Sequence, residues 1–212
     1  MGHDLRPARR RRDPAGRRGL PARRPVRLSG DGDTAQGAVW IISGSPGAGK
    51  STVSRALLRR FPFGLHLEID ALREQVVSGL APPAPDHPPE AVRQFRLAHH
   101  AAVQQARLYA REGFEVVIDD VLWPRGVQHL VDGLHSLTVR RVFLAPGLDV
   151  ALHRNATRTN KTYDTATLDP LIRSLHPSMP VDEYRAEGWT VLDTARLTAE
   201  QTVDALLATL PG

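Results

Sequence analysis

The chain has 212 residues, 41% of them hydrophobic and none of them cysteine, so disulfides and thiolate metal sites are excluded and one α/β domain with a full core is the expected scale. No apolar run approaches the roughly 18 residues that span a bilayer. Basic charge gathers at the start: residues 1–28 hold ten of the 28 Lys and Arg but two of the 23 Asp and Glu, which leaves a slightly acidic remainder and argues against a broad nucleic-acid-binding face.

Residues 1–36 are rich in Arg, Pro, Gly and Ala and show no apolar periodicity, so they read as a disordered Arg-rich tail ahead of one domain over residues 37–212. The functional alternative is a basic arm for RNA, DNA or another acidic surface. The tail lacks the apolar stretch of a secretory signal. Together with the missing cysteines this fits a cytoplasmic protein.

Residues 38–44 place Val39, Trp40, Ile41 and Ile42 in a row and stop at a Gly/Ser/Pro turn, the pattern of a buried strand. A helix is expected over 49–60, closed by Phe61-Pro62, then a second strand over 65–70 and a second helix over 71–80. Pro82, Pro83, Pro85, Pro88 and Pro89 make residues 81–89 a loop. A long helix follows over 90–112, with Gly113 at the cap position. Val92, Phe95, His99, Ala102, Ala106 and Tyr109 form a stripe along it at helical spacing, in which His99 reads as a packed or interface residue rather than a ligand.

Residues 114–121 are a third strand, and the unbroken run Val116, Val117, Ile118 suggests that both of its faces are covered. A helix over 125–134 leads to a fourth strand over 139–145, halted by Pro146-Gly147. A helix over 148–158, a polar stretch over 159–169, a fifth strand over 189–193 and a closing helix over 198–210 complete the chain. Strands alternating with helices predict a P-loop NTPase-type three-layer α/β/α sandwich, with a five-stranded parallel sheet and a lid segment. Ligands in such sheets bind beyond the C-terminal strand ends.

The chemistry starts at the first strand's end. Gly44-Ser45-Pro46-Gly47-Ala48-Gly49-Lys50-Ser51 matches G-x-x-x-x-G-K-[ST] in full, between an expected strand and an expected helix. Glycines let the backbone curl so that several N–H groups face one anion, and the helix beginning there adds its positive end. In this pattern Lys50 reaches the β- and γ-phosphates, the Ser51 hydroxyl ligates Mg²⁺ and Thr52 touches the α-phosphate.

A kinase also needs an acid that orients magnesium, a base near the acceptor hydroxyl and positive charge for the transition state. Asp70, at the end of the expected second strand, can accept the acceptor's proton, and Arg73 one turn later can hold substrate; a helix cap and a solvated face are the plain alternatives. Asp119 and Asp120 end the third strand, or else simply begin a turn. Neighbours on a strand point opposite ways, so they should not share a role; Asp119 is taken for Mg²⁺ and Asp120 for substrate, with the reverse left open.

Arg154 and Arg158 lie four apart on one helix face, beside Asn155, Asn160, Lys161 and Asp164, and read as a catalytic lid, with Arg173 a weaker member. Residues 193–196 are expected near adenine. Asn160-Lys161-Thr162-Tyr163-Asp164 has one residue too many for the guanine-binding signature and does not end a strand, which favours ATP over GTP.

With these residues in view, the chain from about Val39 onward resembles the small P-loop kinases around chloramphenicol phosphotransferase, with zeta-toxin-like and polynucleotide-5′-kinase-like enzymes in the wider circle. Val117-Ile118-Asp119-Asp120-Val121-Leu122 is similar to the third-strand segment of the chloramphenicol-type enzymes, and Ile69-Asp70-Ala71-Leu72 to their second-strand segment. The pairs Asp70/Arg73 and Arg154/Arg158 are spaced as in the polynucleotide-kinase and zeta-toxin branch. The resemblance implies a kinase with Asp70 as base and Arg154 and Arg158 as lid. Residues 81–89 and 155–164 differ from the chloramphenicol enzyme, so the acceptor is left open. The expected function is transfer of the γ-phosphoryl group of ATP, with Mg²⁺, to a hydroxyl of an antibiotic, nucleoside or related metabolite. The alternatives are a polynucleotide 5′-hydroxyl kinase and a non-catalytic ATP-binding regulator.

Overall fold

Five parallel strands make the central sheet of the computed structural model, which describes residues 36–82, 88–157 and 168–210. They are β1 (Val39–Ser43), β2 (Gly64–Glu68), β3 (Glu115–Asp119), β4 (Val139–Leu144) and β5 (Thr190–Leu192), in the order β2-β3-β1-β4-β5. Every adjacent pair is parallel. The helices are α1 (Lys50–Leu58), α2 (Ile69–Glu74), α3 (Pro89–Arg111), α4 (Gln128–Gly133), α5 (Leu148–Ala156), α6 (Asp169–Leu175), α7 (Val181–Ala186) and α8 (Ala199–Leu207).

Successive strand residues face opposite sides of the sheet, so an unbroken apolar run feeds two cores. Trp40, Ile42, Val117, Val142 and Leu144 pack under α1 and α8, against Val53, Leu57, Val203 and Leu206. Val39, Ile41, Val116, Ile118 and Phe143 face the other way, onto Ala98, Ala102 and Ala106 of α3, Leu130 of α4 and Tyr184 of α7. Tyr184 stacks on Phe143 with ring centroids 3.7 Å apart and meets Trp189 edge-on at 5.3 Å. The expected three-layer sandwich is the observed one.

Polar bonds fix both ends of the sheet. Glu115, buried at the start of β3, accepts from the Ala38 N–H at 3.0 Å and from Trp40 Nε1 at 2.6 Å. At the opposite end, the Ser43 hydroxyl donates to the Leu122 carbonyl at 2.8 Å and accepts from the Leu122 N–H at 3.0 Å. Tyr184 Oη donates to the same carbonyl at 2.7 Å. These bonds hold the chain leaving β3 against the end of β1, where the phosphate-loop sequence begins.

The structure departs from the expected elements in three places. The second strand ends at Glu68, so Asp70 lies in the first turn of α2, and α2 stops at Glu74 rather than continuing to residue 80. Gly79, at φ 78°, and the prolines that follow leave no helix there to extend. The buried face of α3 runs through Ala91, Gln94, Ala98, His99, Ala102, Val103, Ala106 and Ala110, while Val92 and Tyr109 of the expected stripe are exposed. Alanines face the sheet because a small side chain lets the helix approach closely, and the larger Val92, Leu97 and Leu108 point outward. Finally, α6 and α7 form where no helix was expected.

Candidate functional site

The phosphate loop closes tightly between β1 and α1. Gly47 has φ 81° and Gly49 φ 92°, a left-handed backbone that favours glycine. A Cβ on Gly47 would stand 2.2 Å from the carbonyl oxygen of Ala151, so the loop runs against the backbone of α5. The Lys50 ammonium folds back over the loop, donating to the Gly44 carbonyl at 3.0 Å and the Ser45 carbonyl at 3.4 Å. A glycine-built curl, a helix start and a lysine over its mouth form a donor set that fits a polyphosphate anion. Ser51 is half-buried and Thr52 exposed in the first turn of α1.

Asp119 and Asp120 stand one strand away from the loop and diverge. Asp119 is buried, its Oδ2 2.8 Å from His66 Nε2 on β2 and 3.3 Å from the Ser54 hydroxyl on α1. Ser54 also lies 2.8 Å from the Lys50 carbonyl, so one hydroxyl spans the loop's helix and the carboxylate. Asp120 turns to the other face. Its Oδ2 is 2.7 Å from His99 Nε2 on α3, and its Oδ1 accepts the Val121 N–H at 2.7 Å.

Asp70 is exposed, with Arg73 Nη1 3.9 Å away. The Arg73 guanidinium itself is buried. It lies 3.7 Å over the Phe95 ring and donates to the Ala81 carbonyl at 2.6 Å. Gln94 on α3 completes this clamp, accepting from the Ala81 N–H at 3.0 Å and donating to the Gly79 carbonyl at 2.8 Å. Arg73 therefore fixes the segment after α2, beside the exposed Asp70.

Arg154 reaches from α5 to the loop. Its Nη1 donates to the Ala48 carbonyl at 3.2 Å and its Nη2 to the Thr194 carbonyl at 2.7 Å, tying α5 to the loop and to the segment after β5. Burial lowers its pKa from the ordinary arginine value, and a guanidinium so placed stays charged at neutral pH. Asn155 Nδ2 donates to Asp169 at 2.9 Å, joining α5 to α6. Arg158, Asn160, Lys161 and Asp164 lie outside the described residues, and Arg173 is exposed on α6.

The family model described as AAA domain matches residues 39–177, more than half of the chain. The chain belongs to this P-loop kinase family. Its fold is kinase-like, and solved small-molecule kinases are among its structural neighbours. A shikimate kinase from Acinetobacter baumannii, in complex with shikimate, aligns with TM-score 0.57 and 16% identity over 82% of this chain and 92% of the other. A gluconokinase from Sinorhizobium meliloti 1021 gives 0.56 and 21% over 82% and 92%. The Deinococcus radiodurans tunicamycin resistance protein gives 0.55 and 20% over 83% and 98%. At these identities the likeness is one of fold. No curated protein sequence matches the chain.

Several residues around the loop escaped the sequence reading. His66, His129, His176 and Ser54 carry no motif. His66 is a polar residue between two leucines in a strand, which is a signal of a kind; His129 gives none. His176 Nδ1 lies 3.3 Å from the Ser45 hydroxyl and so connects the loop to the turn after α6. Beside this contact opens a cleft of about 350 Å³, lined by Ser45, Phe143, Pro146, His176, Met179 and Asp193 among others.

Proposed function

We propose that this chain is an ATP-dependent phosphotransferase that moves the γ-phosphoryl group to a hydroxyl of a small molecule such as an antibiotic, a nucleoside or a related metabolite. One observation carries the reading: β3 lies beside β1, so Asp119 and Asp120 end at the same sheet edge as the phosphate loop and present carboxylates to both faces. The neighbours named as sugar kinase, gluconokinase and shikimate kinase support a compact hydroxylated acceptor.

In this reading residues 44–52 hold the polyphosphate through inward N–H groups, and Lys50 leaves the Gly44 and Ser45 carbonyls to contact the β- and γ-phosphates. Ser51 and Asp119 would hold Mg²⁺, a hard cation that takes few protein oxygens and keeps several waters. When bound it neutralises phosphate charge. Ser54 and His66 fix the Asp119 carboxylate for that task. Asp70, open to solvent, accepts the proton of the acceptor hydroxyl as its oxygen attacks phosphorus. Asp120 orients the acceptor, and Arg73 shapes that side by holding the segment after α2. Arg154 and Arg158 offset the charge that develops on the transferred group. Among the described residues no helix is long and apolar enough to cross a membrane, and a cytoplasmic setting belongs to the same proposal.

The test is transfer of label from γ-labelled ATP, with millimolar Mg²⁺, to a panel of hydroxylated antibiotics, nucleosides, sugars and oligonucleotides. Labelling of a small alcohol is expected, abolished in Lys50→Ala and strongly reduced in Asp70→Asn. Label on oligonucleotides alone would establish a polynucleotide kinase instead. Tight ATP binding without transfer to any acceptor would point to a regulator.

A further inference from the structure

Two carboxylates and one guanidinium gather where β2 and β3 end. Glu68 pairs with Asp119 in the sheet, so Asp70 and Asp120 leave neighbouring strands at one edge. The Asp70 side chain is 57% exposed, open to whatever approaches that edge. Arg73, one helical turn beyond Asp70, carries the positive charge of this corner.

That charge is turned inward. Arg73 is only 5% exposed, and its guanidinium lies 3.7 Å over the Phe95 ring. Its Nη2 donates to the Ala81 carbonyl at 2.6 Å, and its Nε is buried without a hydrogen-bond partner among the described residues. Gln94 fixes the segment over it through two bonds, to the Ala81 N–H and the Gly79 carbonyl. A guanidinium recognises a carboxylate or phosphate by presenting two parallel N–H groups to it. Arg73 has spent its donors and its face on the protein's own chain. Of the cations at the phosphate loop, Lys50 lies on the loop carbonyls and Arg154 spans the Ala48 and Thr194 carbonyls.

We propose that the acceptor is an uncharged alcohol, and that alcohols bearing a carboxylate or phosphate are turned away. The proposal rests on the phosphotransferase reading and narrows its substrate class. An anionic acceptor would bring its charge toward Asp70 and Asp120 and toward the ATP polyphosphate, while Arg73 stays out of reach behind the Ala81 segment. Like charges set together in this way reject a partner that would otherwise fit. An uncharged alcohol escapes that repulsion, and its hydroxyls can donate to both carboxylates. The transfer is unchanged: the acceptor oxygen bonds to the γ-phosphorus, the bond to the departing ADP breaks, and the hydroxyl proton passes to Asp70.

The experiment offers the full chain γ-labelled ATP, Mg²⁺ and alcohols in matched pairs that differ in one anionic group. The pairs are gluconate and sorbitol, shikimate and its methyl ester, and uridine 5′-monophosphate and uridine; antibiotics in the labelling panel are sorted by charge in the same way. The best-labelled alcohol is expected to be uncharged, with kcat/KM at least about tenfold above that of its acidic partner. High salt should narrow this gap by screening the repulsion, and Asp120→Asn should narrow it at low salt. Arg73→Lys should change both members of a pair by the same factor, because Arg73 touches neither.

An acidic alcohol labelled as well as its uncharged partner, or better, overturns the proposal and leaves the phosphotransferase reading standing. So does a loss in Arg73→Lys that is confined to the acidic members. A gap that neither salt nor Asp120→Asn moves overturns the repulsion by these carboxylates as its cause. No label on any alcohol removes the phosphotransferase reading, and the proposal with it.

Discussion

Replacing Gly47 by alanine probes the phosphate loop at its tightest point. At φ 81° the backbone is left-handed, and a residue with a Cβ loses about 1–2 kcal/mol there. That Cβ would lie 2.2 Å from the Ala151 carbonyl oxygen and 2.9 Å from its carbon. Both are backbone atoms of α5, so no rotamer change relieves the overlap. Overpacking against a fixed neighbour adds about 1–3 kcal/mol, for a total of about 2–5 kcal/mol. Gly79 is the matched comparison: φ is 78°, but nothing lies within 4 Å of its Cβ position. Gly79→Ala should therefore cost the backbone term alone, about 1–2 kcal/mol. Urea unfolding reads the stabilities, and ATP calorimetry at millimolar magnesium reads the loop. Gly47→Ala is expected to unfold at lower urea than Gly79→Ala and to lose ATP affinity by about tenfold or more, since each 1.4 kcal/mol is a factor of about ten. Gly79→Ala should bind ATP like the parent. Equal unfolding midpoints, or undiminished ATP affinity in Gly47→Ala, would refute the claim that α5 and the loop are in backbone contact.

Glu115→Ala orphans two buried donors, the Ala38 N–H and Trp40 Nε1, at about 1–3 kcal/mol each, so urea unfolding should show a loss of about 2–6 kcal/mol. Glu115→Gln should recover part of this only, because its amide turns an N–H toward one of the donors. Arg154→Lys keeps the charge but cannot span both the Ala48 and Thr194 carbonyls; calorimetry should find ATP affinity reduced about tenfold, with no change for Arg185→Lys, an exposed residue on α7. Burial pushes the Tyr184 hydroxyl pKa above the ordinary tyrosine value. A pKa raised on folding contributes stability that is full below the unfolded value, near pH 10, and is lost above it. Heat unfolding from pH 9 to 11 should therefore fall more steeply in the native protein than in Tyr184→Phe.

The sheet was legible in the sequence because β1 and β3 carry short unbroken apolar runs. Val39 to Ile42 and Val116 to Ile118 serve two cores at once, and only a strand covered on both faces can be apolar at every position. The face of α3 was misread for a related reason. Hydropathy gives weight to Val92 and Tyr109, whereas approach to the sheet selects small side chains, and Ala98, Ala102 and Ala106 take that face. The expected second helix ran to residue 80, whereas α2 stops at Glu74, and Arg73 and Gln94 hold the chain after it in a non-helical path.

Within the site, the phosphate loop was readable because its backbone conformation demands glycine at fixed spacing. The surroundings of the two aspartates were not. Strand alternation requires that Asp119 and Asp120 part company, but it does not say what each meets. That follows from which helix packs on which face: α1 brings Ser54 to Asp119, and α3 brings His99 to Asp120. His66 reaches Asp119 from 53 residues away through the strand order, and His99 reaches Asp120 from 21 through the packing of α3. Placing β3 between β2 and β1 gives Asp119 its histidine and puts both carboxylates beside the phosphate loop. Two adjacent acids held at one sheet edge, each aimed by a different layer, can serve a cation and a second reactant without competing for the same place.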